Sequence, residues 1–353
     1  QMVAQVAAPQ QNMKVLDLAA APGGKSTHLL SYLNNTGILV SNEINPKRSK
    51  VLVENIERFG ARNIVVTNES AGRLSQIFQG YFDMIVLDAP CSGEGMFRKQ
   101  PEATEYWSET YPAQCAQLQR EILEDTIKML ATNGELIYST CTWAPEENEQ
   151  IVDWLLENYP LELVEIPKIN GMVAGIHFSE TARMYPHHFK GEGQFVAKFR
   201  FYGEQSAKKI KAKKSNLTSE QKTLWQEFQK QHLALELNGD LQTFGEHLYL
   251  LPLGFPDLSK LKIARNGLHL GVFKKKRFEP SFALGLTLKP SEVKHIIEID
   301  EEQFKKYVAG ETVNLHQNTA NGWYQVIVQG NGLGFAKVTG NILKNYFPKG
   351  LRF

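Results

Sequence analysis

Residues 13–33 read Met13-Lys14-Val15-Leu16-Asp17-Leu18-Ala19-Ala20-Ala21-Pro22-Gly23-Gly24-Lys25-Ser26-Thr27-His28-Leu29-Leu30-Ser31-Tyr32-Leu33. A short apolar run, Met13–Leu18, passes through a Pro-Gly-Gly turn into a helical pattern that continues to Leu33. A glycine pair between strand and helix lets a ligand approach the backbone, and the helix start adds free N–H groups. The GxxxxGK[ST] spacing is absent, so this is not a phosphate loop. Glu43 lies about twenty residues on, at the end of the next strand, where an acidic residue commonly takes a ribose diol. These features describe nucleotide-like binding in general, and a generic glycine-rich turn reads the same way.

Strand and helix signals keep alternating outward from this stretch. Ile38–Val40 reads as the second strand. Pro46 opens a helix with apolar Val51, Leu52 and Ile56, stopped at Gly60. Ile64–Val66 is the third strand, and Phe82–Leu87 the fourth, closing on Asp88-Ala89-Pro90-Cys91. A helix over 112–130 leads to a fifth strand, Gly134–Ser139, closing on Thr140-Cys141-Thr142. A helix over 145–158 follows, then a late strand, Gln194–Phe201, pairing near Leu161–Ile166. Repeated units of this kind predict an α/β, Rossmann-like fold: a parallel sheet covered on both faces, with ligands at the carboxyl ends of the strands.

The formal net charge of the 353 residues is +1, from 39 Lys+Arg and 38 Asp+Glu. That sum hides a split. Residues 1–203 carry 17 basic and 24 acidic side chains, and residues 204–353 carry 22 and 14. Opposite signs in the two halves point to two tasks. Domain boundaries are expected at 1–203, a lysine-rich linker at 204–216 (Lys208, Lys209, Lys211, Lys213, Lys214), a small α+β domain at 217–281 and a mostly-β module at 282–353. A second basic block, Lys274-Lys275-Lys276-Arg277, falls in the later half, as does a closing hairpin over 322–338. The chain starts without Met and close to a core strand, so a preceding segment is expected. No run approaches the roughly 18 apolar residues of a membrane span. Three cysteines without CxxC spacing support neither a disulfide framework nor a zinc site. The expected setting is the reducing cytoplasm, with no metal and no membrane.

Two of those cysteines, Cys91 and Cys141, stand in polar turns at strand ends that the expected sheet order makes neighbours, beside Asp88. Cys115, inside a helix, reads as a buried inert thiol. A thiol, a carboxylate and a nucleotide-like cofactor suit one demanding reaction. A pyrimidine is inert at carbon 5 until a thiolate adds to carbon 6, and a proton donor at the ring nitrogen helps that addition. Carbon 5 then attacks an electrophilic methyl, and a base removes its proton to expel the thiol.

The segments 17–25, Asp88-Ala89-Pro90-Cys91-Ser92-Gly93 and Ser139-Thr140-Cys141-Thr142 resemble the motifs of the RNA (cytosine-5) methyltransferases, which use S-adenosylmethionine. Glu94-Gly95-Met96-Phe97-Arg98 and Asn345-Tyr346-Phe347-Pro348-Lys349-Gly350-Leu351-Arg352 are similar to the bacterial 16S ribosomal RNA enzymes of the RsmF type. The resemblance implies Cys141 as nucleophile, Cys91 in product release and removal of the carbon-5 proton, and Asp88 holding the cytosine ring nitrogen. It implies that Ala19, Ala20, Ala21, Pro22, Gly23, Gly24 and Lys25 line S-adenosylmethionine, with Lys25 also facing the target base, and that Glu43 binds the ribose. Where the family often has an Asp near the adenine, this chain has Asn68-Glu69-Ser70, with Ser70 the aligned position. The family's N-terminal RNA-binding extension has no counterpart in this sequence. The partner implied is 16S rRNA, within the small subunit or an assembly intermediate, bound by a monomer. A tRNA cytosine-5 methyltransferase and a non-catalytic assembly factor are the rival readings.

The last segment, from about residue 282, resembles a PUA-like RNA-binding module. The basic charge of this half would attract phosphates, and Trp323, Tyr324 and Phe335 are candidates for stacking on unpaired bases. Arg183-Met184-Tyr185-Pro186-His187-His188 precedes the late strand, and His187 and His188 read as a polar loop rather than metal ligands, since no third ligand accompanies them.

Overall fold

A computed structural model describes residues 2–188, 190–206, 214–253, 255–315 and 318–352. Lys208, Lys209, Lys211 and Lys213 of the expected linker lie outside the described residues. The chain forms two compact units, one of residues 1–53, 65–211 and 257–264, the other of residues 54–64, 212–256 and 265–353.

The first unit is built from α1 (Met2–Ala7), β1 (Lys14–Asp17), α2 (Gly24–Leu33), β2 (Ile38–Asn42), α3 (Pro46–Phe59), β3 (Ile64–Thr67), α4 (Ala71–Ser75) and β4 (Phe82–Asp88). It continues with α5 (Tyr111–Ile127), β5 (Leu130–Thr140), α6 (Glu149–Asn158), β6 (Leu161–Leu163), β7 (Val173–Ala174), β8 (Ala182–Met184) and β9 (Gln194–Phe201). The central order is β3-β2-β1-β4-β5, then β9-β8-β7. Strands β2 and β3 are buried at every residue, as strands covered on both faces must be. The parallel register sets Asp17 beside Ser41 and Val86, and Asp88 beside Ser139. The carboxyl ends that carry the sequence motifs therefore form one edge. The sheet is mixed rather than wholly parallel, because β9 runs antiparallel to both β5 and β6.

Several boundaries differ from the sequence expectation for identifiable reasons. Strand β5 starts at Leu130 rather than Gly134, since Asn133 (φ +62°) and Gly134 are absorbed in a bulge against β4 instead of ending the strand. Residues 145–148 form a turn, so α6 begins at Glu149. In α3, Leu52 and Ile56 are fully buried one turn apart, while Val51 is 45% exposed and packs outward. Ala182–Met184, given no element in the sequence reading, form the buried strand β8. No helix among the described residues is long and apolar enough to cross a membrane.

The later chain adds α7 (Ser219–His232), β10 (Asp240–Phe244), β11 (His247–Leu251), β12 (Ile263–Arg265), β13 (Leu268–Lys274), β14 (Arg277–Pro280) and α8 (Phe282–Thr287). It ends with β15 (Ile296–Glu298), α9 (Glu301–Val308), β16 (Val313–Asn314), β17 (Gly322–Val328), β18 (Asn331–Thr339) and β19 (Ile342–Lys344). Strand β12 joins the first unit's sheet at the β3 edge. The others form a four-stranded sheet, β10-β11-β13-β14, and a five-stranded sheet, β15-β17-β18-β19-β16. Thr218 caps α7 and Asp300 caps α9, each closing a capping box with a glutamine. One apolar cluster joins Trp225 and Phe228 to Phe278, Leu284, Trp323 and Phe335. Trp323 and Phe335 are thus 8% and 3% exposed, core residues rather than stacking surfaces, because alternation along β17 and β18 turns them inward.

Candidate active site

Strand β1 stops at Asp17 because the next residues bond sideways: Leu18 N–H donates to Val86 O at 3.0 Å and Ala20 N–H to Asn42 O at 2.8 Å. Gly23 then takes φ +118°, a conformation that favours glycine, and α2 starts. Asp17 is fully buried and accepts from Ser26 Oγ at 2.7 Å; burial pushes its pKa up, against the pull of Lys25. Lys25 Nζ donates to Ala19 O and to Asp88 Oδ2, each at 3.2 Å. Burial opposes the ammonium, but Asp88 and then Asp17 outweigh it and hold the Lys25 pKa above its ordinary value.

Asn42 ties three strand ends together. Its amide donates to Leu18 O and Glu69 O, and its carbonyl oxygen accepts from Thr67 Oγ1 and Glu69 N. Glu43, 3% exposed, accepts from Asn45 N–H at 2.9 Å and faces Arg48 at 3.7 Å. Ser70 caps α4 by accepting from Arg73 N–H, and Asn68 is spent on the carbonyls of Glu43 and Ile44.

At the end of β4, Asp88 accepts from Ser139 Oγ at 2.9 Å, Gln194 Nε2 at 3.1 Å and Lys25. The Cys91 and Cys141 sulfurs are 3.2 Å apart. The Cys91 thiol donates to Cys141, which raises the Cys91 pKa well above the thiol range, with burial adding to it. The same hydrogen bond lowers Cys141 against its burial. A contact from Cys141 N–H to Cys91 Sγ at 3.3 Å works the other way and is outweighed. Cys115 stands apart in α5, with its pKa raised by burial to about 11.

Sequence reasoning missed the network that fixes the two cysteine turns. Glu147 is fully buried, accepts from Ser92 N–H at 3.1 Å and from Gln119 Nε2 at 2.6 Å, and burial raises its pKa. Gln119 also donates to Pro90 O at 2.9 Å, and the Tyr138 hydroxyl reaches Gln119 Oε1 at 2.9 Å. The Ser92 and Thr142 hydroxyls meet at 2.7 Å, and Glu94 accepts from Thr142 Oγ1 and Trp143 N–H, each at 3.1 Å. The pattern Pro145-Glu146-Glu147-Asn148-Glu149 looks like a solvated helix start, and no local signal marks Glu147 as buried.

These strand ends enclose a cleft of about 320 Å³ lined by Ala19, Ala21, Lys25, Asn42, Glu43, Glu69, Ser70, Asp88, Cys91 and Cys141, among others. Ala20, Pro22, Gly23 and Gly24 shape the loop at its wall. The size suits a nucleoside-sized ligand. The lining holds three carboxylates, Glu43, Glu69 and Asp88, against two cations, and both cations face a carboxylate. Such a donor set fits a sulfonium cation with a ribose diol and is wrong for a polyphosphate. Fold and cleft together define an S-adenosylmethionine-dependent methyltransferase. The chain matches the family profile of 16S rRNA methyltransferase RsmB/F over residues 4–200, that of the RsmF rRNA methyltransferase first C-terminal domain over 227–288, and that of the RsmF PUA domain over 294–353. It belongs to the RsmB/F family of 16S rRNA methyltransferases.

The chain is 32% identical to ribosomal RNA small subunit methyltransferase F of Shewanella loihica, over 96% of its own length and 72% of that protein. It is 31% identical to the Escherichia coli protein of the same name, over 98% and 74%. The solved structure of NSun6 from Pyrococcus horikoshii with SFG, an S-adenosylmethionine analogue, is similar over 57% of this chain and 51% of that one, with 33% identity and a TM-score of 0.53.

Proposed function

We propose that the chain methylates carbon 5 of cytosine in 16S rRNA through a covalent bond between Cys141 and carbon 6. The observation that carries this is the pair of sulfurs 3.2 Å apart at the ends of adjacent strands, beside Asp88 on the wall of the cleft. An enzyme that methylated an exocyclic amine would have no need of two thiols there.

The loop from Ala19 to Lys25 would hold S-adenosylmethionine, with Glu43 on its ribose and Ser70 and Glu69 toward its base. When bound, that cofactor supplies an electrophilic methyl group. The chain's own groups do the rest. Asp88, oriented by three donors, holds the cytosine ring nitrogen, and Lys25 keeps Asp88 in place and faces the base. The Cys141 thiolate forms a bond to carbon 6, and the displaced electron pair activates carbon 5. After methylation the carbon-5 proton leaves to Cys91, the carbon 5–carbon 6 double bond re-forms, and the electrons of the carbon–sulfur bond return to Cys141. The coupling of the two thiols suits this order. Cys91 is kept protonated chiefly by its hydrogen bond to Cys141. Once Cys141 is bonded to carbon 6 that acceptor is gone and the Cys91 pKa falls; half-exposed Cys91 gives its proton to solvent water, and the resulting thiolate takes the carbon-5 proton.

Cys141→Ala should abolish methyl transfer and leave cofactor affinity intact. Cys91→Ala should accumulate a protein–RNA adduct that survives denaturing electrophoresis. Bisulfite sequencing of 16S rRNA and tRNA from a strain lacking the protein identifies the target. Normal activity in Cys141→Ala, or a missing mark confined to tRNA, would overturn the proposal.

A further inference from the structure

Four rings stand in a row beside the cysteine pair. Trp143 follows Cys141 by two residues. Its indole stacks on Tyr185, with centroids 5.0 Å apart and planes at 19°. Tyr185 stacks on His187 at 5.5 Å and 30°, and His187 meets His188 at 4.2 Å and 59°. The row is not core. Trp143 and Tyr185 are half-buried and both histidines are exposed.

Its inner end is held firmly. Trp143 N–H donates to Glu94 Oε2, and Trp143 O accepts from Arg183 at 3.1 Å. Arg183 is 2% exposed and forks onto Glu149 at 2.8 and 2.5 Å. A buried pair of this kind is weak evidence for stability, so its positioning effect is the more informative property. Arg183 lies on β8 two residues before Tyr185 and grips the Trp143 carbonyl, so one guanidinium sets the backbone beneath both stacked rings. Gly193 closes against the indole edge, where a Cβ would come within 2.2 Å of it.

A stack of half-buried Trp143 and Tyr185 and exposed His187, with His188 tilted against its outer end, runs from a nucleophile toward solvent and matches the chemistry of an unpaired base, which stacks on aromatic and imidazole rings. A cytosine drawn into the cleft must leave its own stack, and that deprives its neighbour of a partner. We infer that Trp143, Tyr185, His187 and His188 form a stacking platform for the nucleobase adjoining the target cytosine in single-stranded RNA. The inference rests on the proposed action at cytosine in RNA and adds the element that receives the flanking nucleotide.

The test uses oligocytidine RNA carrying one 2-aminopurine, whose fluorescence is quenched on stacking. The full chain should quench it. Tyr185→Leu and His187→Ala should lose the quench and raise KM for RNA about tenfold, with most of the loss in KM rather than kcat. Tyr185→Phe and His187→Phe, which keep a ring, should retain the quench. S-adenosylmethionine affinity measured on the same variants reports that each has folded. A quench that persists in Tyr185→Leu and His187→Ala, or is missing from a wild-type chain that methylates the same RNA, overturns the platform. A wild-type chain that quenches but transfers no methyl group sinks the catalytic reading and leaves the platform standing.

Discussion

The two units bury different chemistry. Among the described residues, the first buries the carboxylates Asp17, Glu43, Glu69, Glu147 and Glu149, all at or near strand ends. The second buries none, and fills its interior with Trp225, Phe228, Leu284, Trp323 and Phe335 instead. Its charge is displayed outside, as in the turn from Lys274 to Arg277, where all four side chains are exposed. Buried polar groups cost free energy unless every one is partnered, whereas an apolar core carries no such condition. The first unit therefore accepts a costly interior that fixes the polar side chains around its cleft. The second is organised for stability and surface charge.

The contrast can be broken most sharply at Lys25. Lys25→Met leaves Asp88 without its cationic partner, and methyl transfer should fall about a thousandfold with little change in melting temperature. A fall in melting temperature matching the fall in rate would make the pair merely structural. In the second unit the opposite pattern is expected. Trp225→Ala removes a 3%-exposed indole from the apolar cluster and should cost about 3 kcal/mol of stability by thermal or urea unfolding, with cofactor affinity unchanged.

A smaller effect sharpens the electrostatic side of the comparison. The Glu147 charge raises the pKa of both Cys91 and Cys141. Glu147→Gln should make the thiol pair ionise at lower pH, so the acid limb of the pH–rate profile moves down in pH, and activity at the old midpoint should rise by up to about twofold. An unmoved limb with reduced activity would assign Glu147 to packing alone. The smallest effect belongs to the basic turn. Lys275→Glu with Lys276→Glu should weaken RNA binding and make the dependence of log affinity on log salt shallower, by about one for each phosphate the turn no longer neutralises. An unchanged salt dependence would place the RNA elsewhere. Truncation near residue 204 would not isolate the first unit, since it also removes β12 from that unit's sheet.

The order of the central strands and helices, the glycine turn from Ala19 to Lys25, and the strand-end positions of the cysteines at 91 and 141 were legible in the sequence. Each is a local pattern: an apolar period, a glycine turn, a motif at a strand end. The neighbourhood of β1, β4 and β5 followed from the rules of parallel sheets, and with it the expectation that Asp88, Cys91 and Cys141 share an edge. Three things were decided only by tertiary structure. Glu147, Gln119 and Tyr138 are separate in sequence and meet through sheet register and the placement of α5. Trp323 and Phe335 face inward and Tyr185 half-outward, although composition treats them alike. The sulfur–sulfur hydrogen bond makes unequal partners of two thiols that look equivalent in their motifs. The physical reason is common to all three. Backbone pattern depends on neighbours along the chain, but burial and proton affinity depend on what the folded chain brings within a few ångströms.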